Sequence, residues 1–362
     1  MSKRLVLCCD GTWNTPDQEV GGRPCPTNVT KIALAIADTG VDGKEQRVAY
    51  RRGVGTTRWE RLRGGAFGFG LSRVVKDGYR FLVENFQPGD ELFLFGFSRG
   101  AYTARSTAGF IRNAGILRAE HADRIDEAYA MYRDRESHPR GIEAQLFRRS
   151  YSHETRIRFI GVWDTVGALG IPLNGLRGVN AFNRRWQFHD TELSTTVDAA
   201  LQALAVDEKR RPFEPTLWRQ QEDAGSQRLE QVWFSGDHCD VGGGHRDAAL
   251  ADIALLWMAE RARSCGLSFR PDGFPSVPPA GARDELPVVR PDAMARLHDS
   301  RTWLYRLRPA FSRPIGKKDP ASEYAASAAI QRIDKDSSYA PAILAAYLSG
   351  DQQVMDVEVW DH

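Results

Sequence analysis

One pentapeptide constrains this chain more than any other feature. Gly96-Phe97-Ser98-Arg99-Gly100 follows the apolar run Leu92-Phe93-Leu94-Phe95 and precedes Ala101-Tyr102-Thr103-Ala104-Arg105. The run predicts a strand over 91–95 and the segment after it a helix over 101–112. The serine then sits on a strand–turn–helix that exposes its hydroxyl on a sharp turn. A Cβ at position 96 or 100 would crowd the neighbouring backbone, which accounts for the glycines. The helix aims its positive dipole end at the space above Ser98, where an oxyanion would develop. A plain turn before a helix is the bland alternative.

The remaining elements fit a sheet built around that turn. Strands are predicted over 4–9, 47–50, 156–163, 231–234 and 354–360. Helices are predicted over 28–37, capped by Thr27 or Asn28, and over 71–86, 121–133, 197–205, 248–262 and 340–348. Residues 53–70 are rich in glycine and read as a loop. Strands separated by helices predict an α/β fold of the α/β-hydrolase type, a mostly parallel sheet with helices on both faces. The chain is expected to form a single domain over 1–362 with insertions. The Pro- and Arg-rich stretch 269–338 is hard to read and is a candidate lid or extension.

Composition narrows the function classes. Hydrophobic residues are 42% and charged residues 27% of 362, so a disordered chain is excluded. The net charge of +2, from 49 Lys+Arg against 47 Asp+Glu, offers no field that selects nucleic acid. The longest uncharged run, 337–350, holds 14 residues and is interrupted by Pro341, short of the roughly 18 a membrane span needs. The first apolar run stops at Asp10, too early for a secretory leader. Five cysteines without C-x-x-C read as reduced thiols. A cytoplasmic location is therefore expected, and export by a signal-less secretion system is compatible with the same start.

A serine nucleophile needs a base, and the base needs an orienting carboxylate, in the chain order Ser, acid, His for α/β-hydrolases. Asp164 follows Phe159-Ile160-Gly161-Val162-Trp163 directly, at the carboxyl end of a predicted strand, where catalysis gathers in parallel sheets. Asp207 is the reserve; among Glu208, Lys209, Arg210 and Arg211 it reads as solvated. His238 lies in a loop just beyond the strand Val232-Trp233-Phe234, within Gly236-Asp237-His238-Cys239-Asp240-Val241-Gly242-Gly243-Gly244-His245. His245 shares that loop and is the less favoured base. His189 could start a helix or line a pocket, while His298 falls in the unreadable stretch.

At this point the chain resembles the DUF2235 group of α/β-hydrolases, which includes phospholipase effectors of bacterial type VI secretion. The resemblance rests on Cys9-Asp10-Gly11-Thr12-Trp13-Asn14, Gly53-Val54-Gly55-Thr56, the pentapeptide with Ala101-Tyr102, and Gly161-Val162-Trp163-Asp164-Thr165-Val166-Gly167. Phe188-His189-Asp190-Thr191, Asp207-Glu208-Lys209-Arg210 and 236–244 complete it. The resemblance implies Ser98 as nucleophile, Asp164 as the acid and His238 as the base. α/β-Hydrolases take one oxyanion amide from the residue after the nucleophile, here Arg99, and one from the loop after an early strand, here Gly11 or Thr12. Asp10 would orient that loop or close an Asx turn. Asp240 and His245 are further candidates for lining the site.

The function expected is hydrolysis of a carboxylic ester, a lipid or phospholipid acyl ester, through an acyl-enzyme and without a cofactor or metal. Rival readings remain. Asp10-Gly11-Thr12 is similar to the phosphatase motif D-x-D-G-T, but Cys8 stands where that motif needs its nucleophilic aspartate. A dinucleotide loop at Gly53-x-Gly55 fails because position 58 is Arg. Asp237, His238, Asp240, His245 and Asp247 form a possible metal-dependent hydrolase centre. A non-catalytic binding module on a hydrolase scaffold is the remaining alternative.

Overall fold

A computed structural model describes residues 2–11, 25–53, 66–134, 136–167, 192–277, 287–301, 303–306, 309–350 and 353–357. The strands are β1 (Arg4–Cys9), β2 (Gln46–Arg51), β3 (Glu91–Phe97), β4 (Ile116–Leu117), β5 (Ser152–His153), β6 (Ile157–Trp163), β7 (Val197–Ala205), β8 (Arg228–Phe234), β9 (Glu323–Ala326) and β10 (Val354–Met355). β4 and β5 pair antiparallel on their own. The other eight form one sheet in the order β10-β9-β8-β7-β6-β3-β1-β2. Every pairing in that sheet is parallel.

The apolar runs become strands because helices cover both faces. The main helices are α1 (Asn28–Ala35), α2 (Ala66–Asn85), α3 (Arg99–Ala114), α4 (Ile125–Arg133), α5 (Ile142–Tyr151), α6 (His238–Gly242) and α7 (Ala249–Ser264). Alternate residues of a strand point to opposite faces. Val6 and Cys8 of β1, with Phe93, Phe95 and Phe97 of β3, pack in the core lined by α1 and α7. Leu5, Leu7, Cys9, Leu92 and Leu94 pack in the core lined by α2 and α3. The buried Lys31–Asp252 ion pair joins α1 to α7. From β1 the chain goes to β2 on one side and then returns to β3 on the other. The strand order therefore reverses between β1 and β3, the place where ligands bind in such sheets.

Three sequence expectations are corrected. Residues 197–205 form β7, not a helix: Ala and Leu favour helix locally, but the segment lies between β6 and β8, and burial on both faces leaves no alternation to read. α2 begins at Ala66, inside the stretch read as a loop. The region 121–133 is two pieces, a 3₁₀ segment Ala119–Arg124 and then α4. The Pro- and Arg-rich stretch supplies β9 and the helix Ser327–Lys335 to the body of the fold. Glu323 of β9 accepts from Trp233 Nε1 and from the amides of Gly316, Lys318 and Asp319, which ties that stretch to β8.

Candidate active site

The site is assembled at the carboxyl edge of the sheet. Phe97 and Trp163 pair across β3 and β6, so Ser98 and Asp164 leave neighbouring strands side by side. The Ser98 amide donates to Trp163 O at 3.0 Å, and the Asp164 amide to Ala203 O at 2.8 Å. Among the described residues, Ser98 (φ 58°) and Asp164 (φ 42°) are the only non-glycine residues with positive φ. Such conformations cost of order 1–3 kcal/mol and persist where the surroundings over-determine them. Here the surroundings are buried strand ends.

The glycines of the turn have steric reasons. A Cβ on Gly96 would lie 2.5 Å from Gly100 O, and one on Gly100 would lie 2.1 Å from Cys9 O and 2.5 Å from Asp10 O. The end of β1 therefore presses directly on the start of α3. Ser98 is the N-cap of α3 yet makes no side-chain capping bond, so its hydroxyl is not spent on the helix. Arg99 opens that helix at its positive end.

His238 begins α6, a single turn and not a loop as expected. Asp237 caps it, accepting from the amides of Cys239 and Asp240, and Asp240 returns the bond to the Asp237 amide. His238 Nδ1 lies 2.5 Å from Asp164 Oδ2. With a carboxylate on Nδ1, the other ring nitrogen, Nε2, is left to act as a base. The ring packs between Phe97 (centroids 4.6 Å apart) and Phe213 (4.9 Å). Gly242 makes room for this packing: a Cβ there would meet the Phe97 ring at 2.0 Å.

Arg313 is the site residue the sequence did not reveal. Its Nη1 lies 2.5 Å from Asp164 Oδ1 and its Nη2 2.9 Å from Oδ2, and the same nitrogens donate to Ala205 O and Phe213 O. Both side chains are fully buried. Burial alone would raise the Asp164 carboxyl; the Arg313 charge and hydrogen bonds, with the His238 bond, outweigh it and hold the group well below the usual carboxylate range. The only sequence signal was an arginine in a stretch without periodicity.

The other expected residues divide. Asp10 is buried; Oδ2 accepts from Thr27, Thr30 and Tyr50, and Oδ1 from the Gly11 amide at 2.6 Å. Burial raises its carboxyl even so. The Gly11 amide is thus turned toward Asp10 in this conformation. Thr12 and His189 lie outside the described residues. Asp207 is not solvated: Oδ2 accepts from the Gly236 amide and the Tyr339 hydroxyl, and burial raises its carboxyl. Glu208 is buried and holds Arg210 in a bidentate pair. His245 Nε2 faces Asp237 Oδ1 at 3.0 Å, not the Ser98–Asp164 edge. Burial alone would lower the His245 pKa; Asp237 outweighs it and raises it. His298, from the unreadable stretch, stacks on His245 with centroids 4.0 Å apart and bonds Asp240 Oδ1 at 2.6 Å.

A parallel sheet with helices on both faces, a strained serine and a buried histidine–carboxylate pair along one edge make this an α/β-hydrolase-type protein. The sequence model of the type VI secretion phospholipase effector Tle1-like catalytic domain matches residues 3–261, and the chain belongs to that family. It is 28% identical over 235 residues to an uncharacterized protein of Saccharomyces cerevisiae, covering 58% of this chain and 32% of that protein. It is similar to the crystal structure of an uncharacterized protein from Pseudomonas aeruginosa, with TM-score 0.45, 17% identity, and 75% of this chain and 47% of that chain covered. It is also similar to the Tle1 effector bound to the VgrG spike of the type VI secretion system, with TM-score 0.38, 17% identity, and coverage of 68% and 51%. The chain thus spans about a third of the yeast relative and about half of each solved chain.

Proposed function

We propose that this chain is a serine hydrolase that cleaves a carboxylic acyl ester of a lipid, with phospholipids as the substrate class. The observation that carries the reading is the His238 Nδ1–Asp164 Oδ2 pair on the strand edge where Ser98 emerges. Ser98 Oγ attacks the ester carbonyl while His238 Nε2 takes its proton; Asp164 holds the ring and stabilises the imidazolium. The amide of Arg99 and the positive end of α3 receive the oxyanion, with Gly11 or Thr12 as the candidate second amide. The imidazolium returns its proton to the leaving alcohol. Water, deprotonated by the same imidazole, then releases the fatty acid from Ser98. Arg313 acts through Asp164 as a positioning residue.

The test is active-site labelling. A fluorophosphonate probe should form a covalent adduct that peptide mapping assigns to Ser98, and His238→Ala should abolish it. An adduct on another residue, or equal labelling of Ser98→Ala, overturns the reading. Hydrolysis of a panel of p-nitrophenyl esters and phospholipids then defines the acyl and headgroup preference.

A further inference from the structure

A second cluster sits on the turn that carries His238, and the mechanism does not use it. Asp240, His245 and His298 each offer one ligand atom, and these atoms lie within 4.8 Å of one another. His298 Nδ1 is 2.6 Å and His245 Nε2 4.0 Å from Asp240 Oδ1. Ligands about 2.0–2.2 Å from a tetrahedral Zn²⁺ stand about 3.3–3.6 Å apart, so shifts of under about 1 Å bring these atoms onto one ion. The cluster is also short of donors. Asp237, whose side chain is 1% exposed, has its Oδ2 buried with no close hydrogen-bond donor other than the nearby Ser300 hydroxyl. The two imidazoles keep about a quarter of their side-chain surface open, which leaves an entry path.

We infer that Asp240, His245 and His298 bind one divalent late first-row metal ion of the Zn²⁺ type. Two imidazoles and one carboxylate suit that class, whereas Ca²⁺ and Mg²⁺ require oxygen ligands. The ion is a brace and takes no part in ester chemistry. Residues 238 and 240 are two apart on a helical turn and project roughly 200° from each other, so the metal face of α6 points away from the face that meets Asp164. His238 keeps its Nδ1 for Asp164 and is not a ligand. What the ion joins is α6, the glycine-rich segment ending at His245, and the stretch around His298, whose amide already donates to Asp240 Oδ2.

The inference does not rest on the serine-hydrolase reading and is tested without activity. Protein stripped with a chelator and desalted is titrated with Zn²⁺ by calorimetry, and with Co²⁺ followed by visible absorption. One ion per chain should bind, with a melting temperature raised by a few °C at about 100-fold excess over Kd. His298→Ala and His245→Gln should weaken binding by about 10–100-fold or more and remove the Co²⁺ bands. His245→Gln retains an N–H for Asp237 and guards against a variant that merely loses a hydrogen bond; circular dichroism checks its fold. His238→Ala should bind Zn²⁺ like the parent. Absence of a stoichiometric site in the parent, or unchanged Zn²⁺ affinity in a folded His245→Gln, overturns the inference.

Discussion

Arg313 holds both carboxylate oxygens of Asp164, and His238 Nδ1 meets one of the same two oxygens. The acid is therefore fixed from two sides, by a guanidinium fork and by an imidazole. Removing one partner of such a buried pair leaves an unpaired buried charge and costs about 3–5 kcal/mol. Arg313→Leu should lose stability of that order in denaturant unfolding. Arg313→Lys should recover part of it, because an ammonium keeps the charge but not the fork that also reaches Ala205 O and Phe213 O. Stability of Arg313→Leu within about 0.5 kcal/mol of the parent would contradict the assignment.

The same pair sets a pH dependence. The Asp164 carboxyl is held below its unfolded value of about 3.9, so its contribution to stability is complete above that pH and is lost as pH falls toward the folded value. Arg313→Gln removes the cation and leaves burial, which raises the carboxyl. A protonated Asp164 no longer stabilises the imidazolium. The acid limb of kcat should then move to higher pH in the variant, while the Asp164 share of the acid-side loss in melting temperature should disappear or reverse, because a carboxyl raised in the folded state stabilises it more as pH falls. Superimposable limbs in parent and variant would rule this out.

Gly100 is a backbone-contact glycine, and Gly43 is a conformational one. A Cβ at 100 would strike Cys9 O and Asp10 O, which cannot yield without moving β1, while Gly43 has open space and a φ of 77°. Gly100→Ala should cost more than about 4 kcal/mol or prevent soluble expression. Gly43→Ala should cost about 1–2 kcal/mol, the strain of a left-handed backbone. Chemical denaturation of the two variants side by side checks the contrast.

The two histidines of the 236–245 segment should separate in kinetics. His238 is wedged between Phe97 and Phe213 against Asp164, whereas His245 faces Asp237 and His298. His245→Ala should keep kcat/KM within about tenfold of the parent, the scale of a supporting residue. His238→Ala should not. If His245→Ala is dead and His238→Ala active, the base assignment moves seven residues along the chain.

Much of this was legible in the sequence wherever chemistry and local pattern coincide. The turn around Ser98 was readable because a buried strand, two glycines and a helix start adjoin it. Asp164 and His238 were readable because each follows a strand. β7 was not, since Ala-Leu-Gln-Ala-Leu within it favours a helix and only its neighbours on both sides make it a strand. Arg313 and His298 were not either. Each owes its role to a contact across many residues, Arg313 to Asp164 and His298 to Asp240, and neither sits in a periodic or motif-bearing segment. The burial of Asp207 and Glu208 was hidden by the charges around them, which read as solvated until Tyr339, Gly236 and Arg210 are seen to satisfy them.

The central claim is that Ser98 and His238 act as one unit on an ester. It is tested most directly by kcat on a single phospholipid or p-nitrophenyl ester for the parent, Ser98→Ala, His238→Ala and the double variant, each shown to be folded. Both single variants should lose about 10⁶-fold in kcat, and the double variant should lose little more, because members of a triad are not additive. Ser98→Ala with kcat within about tenfold of the parent, or losses that multiply in the double variant, would contradict the account.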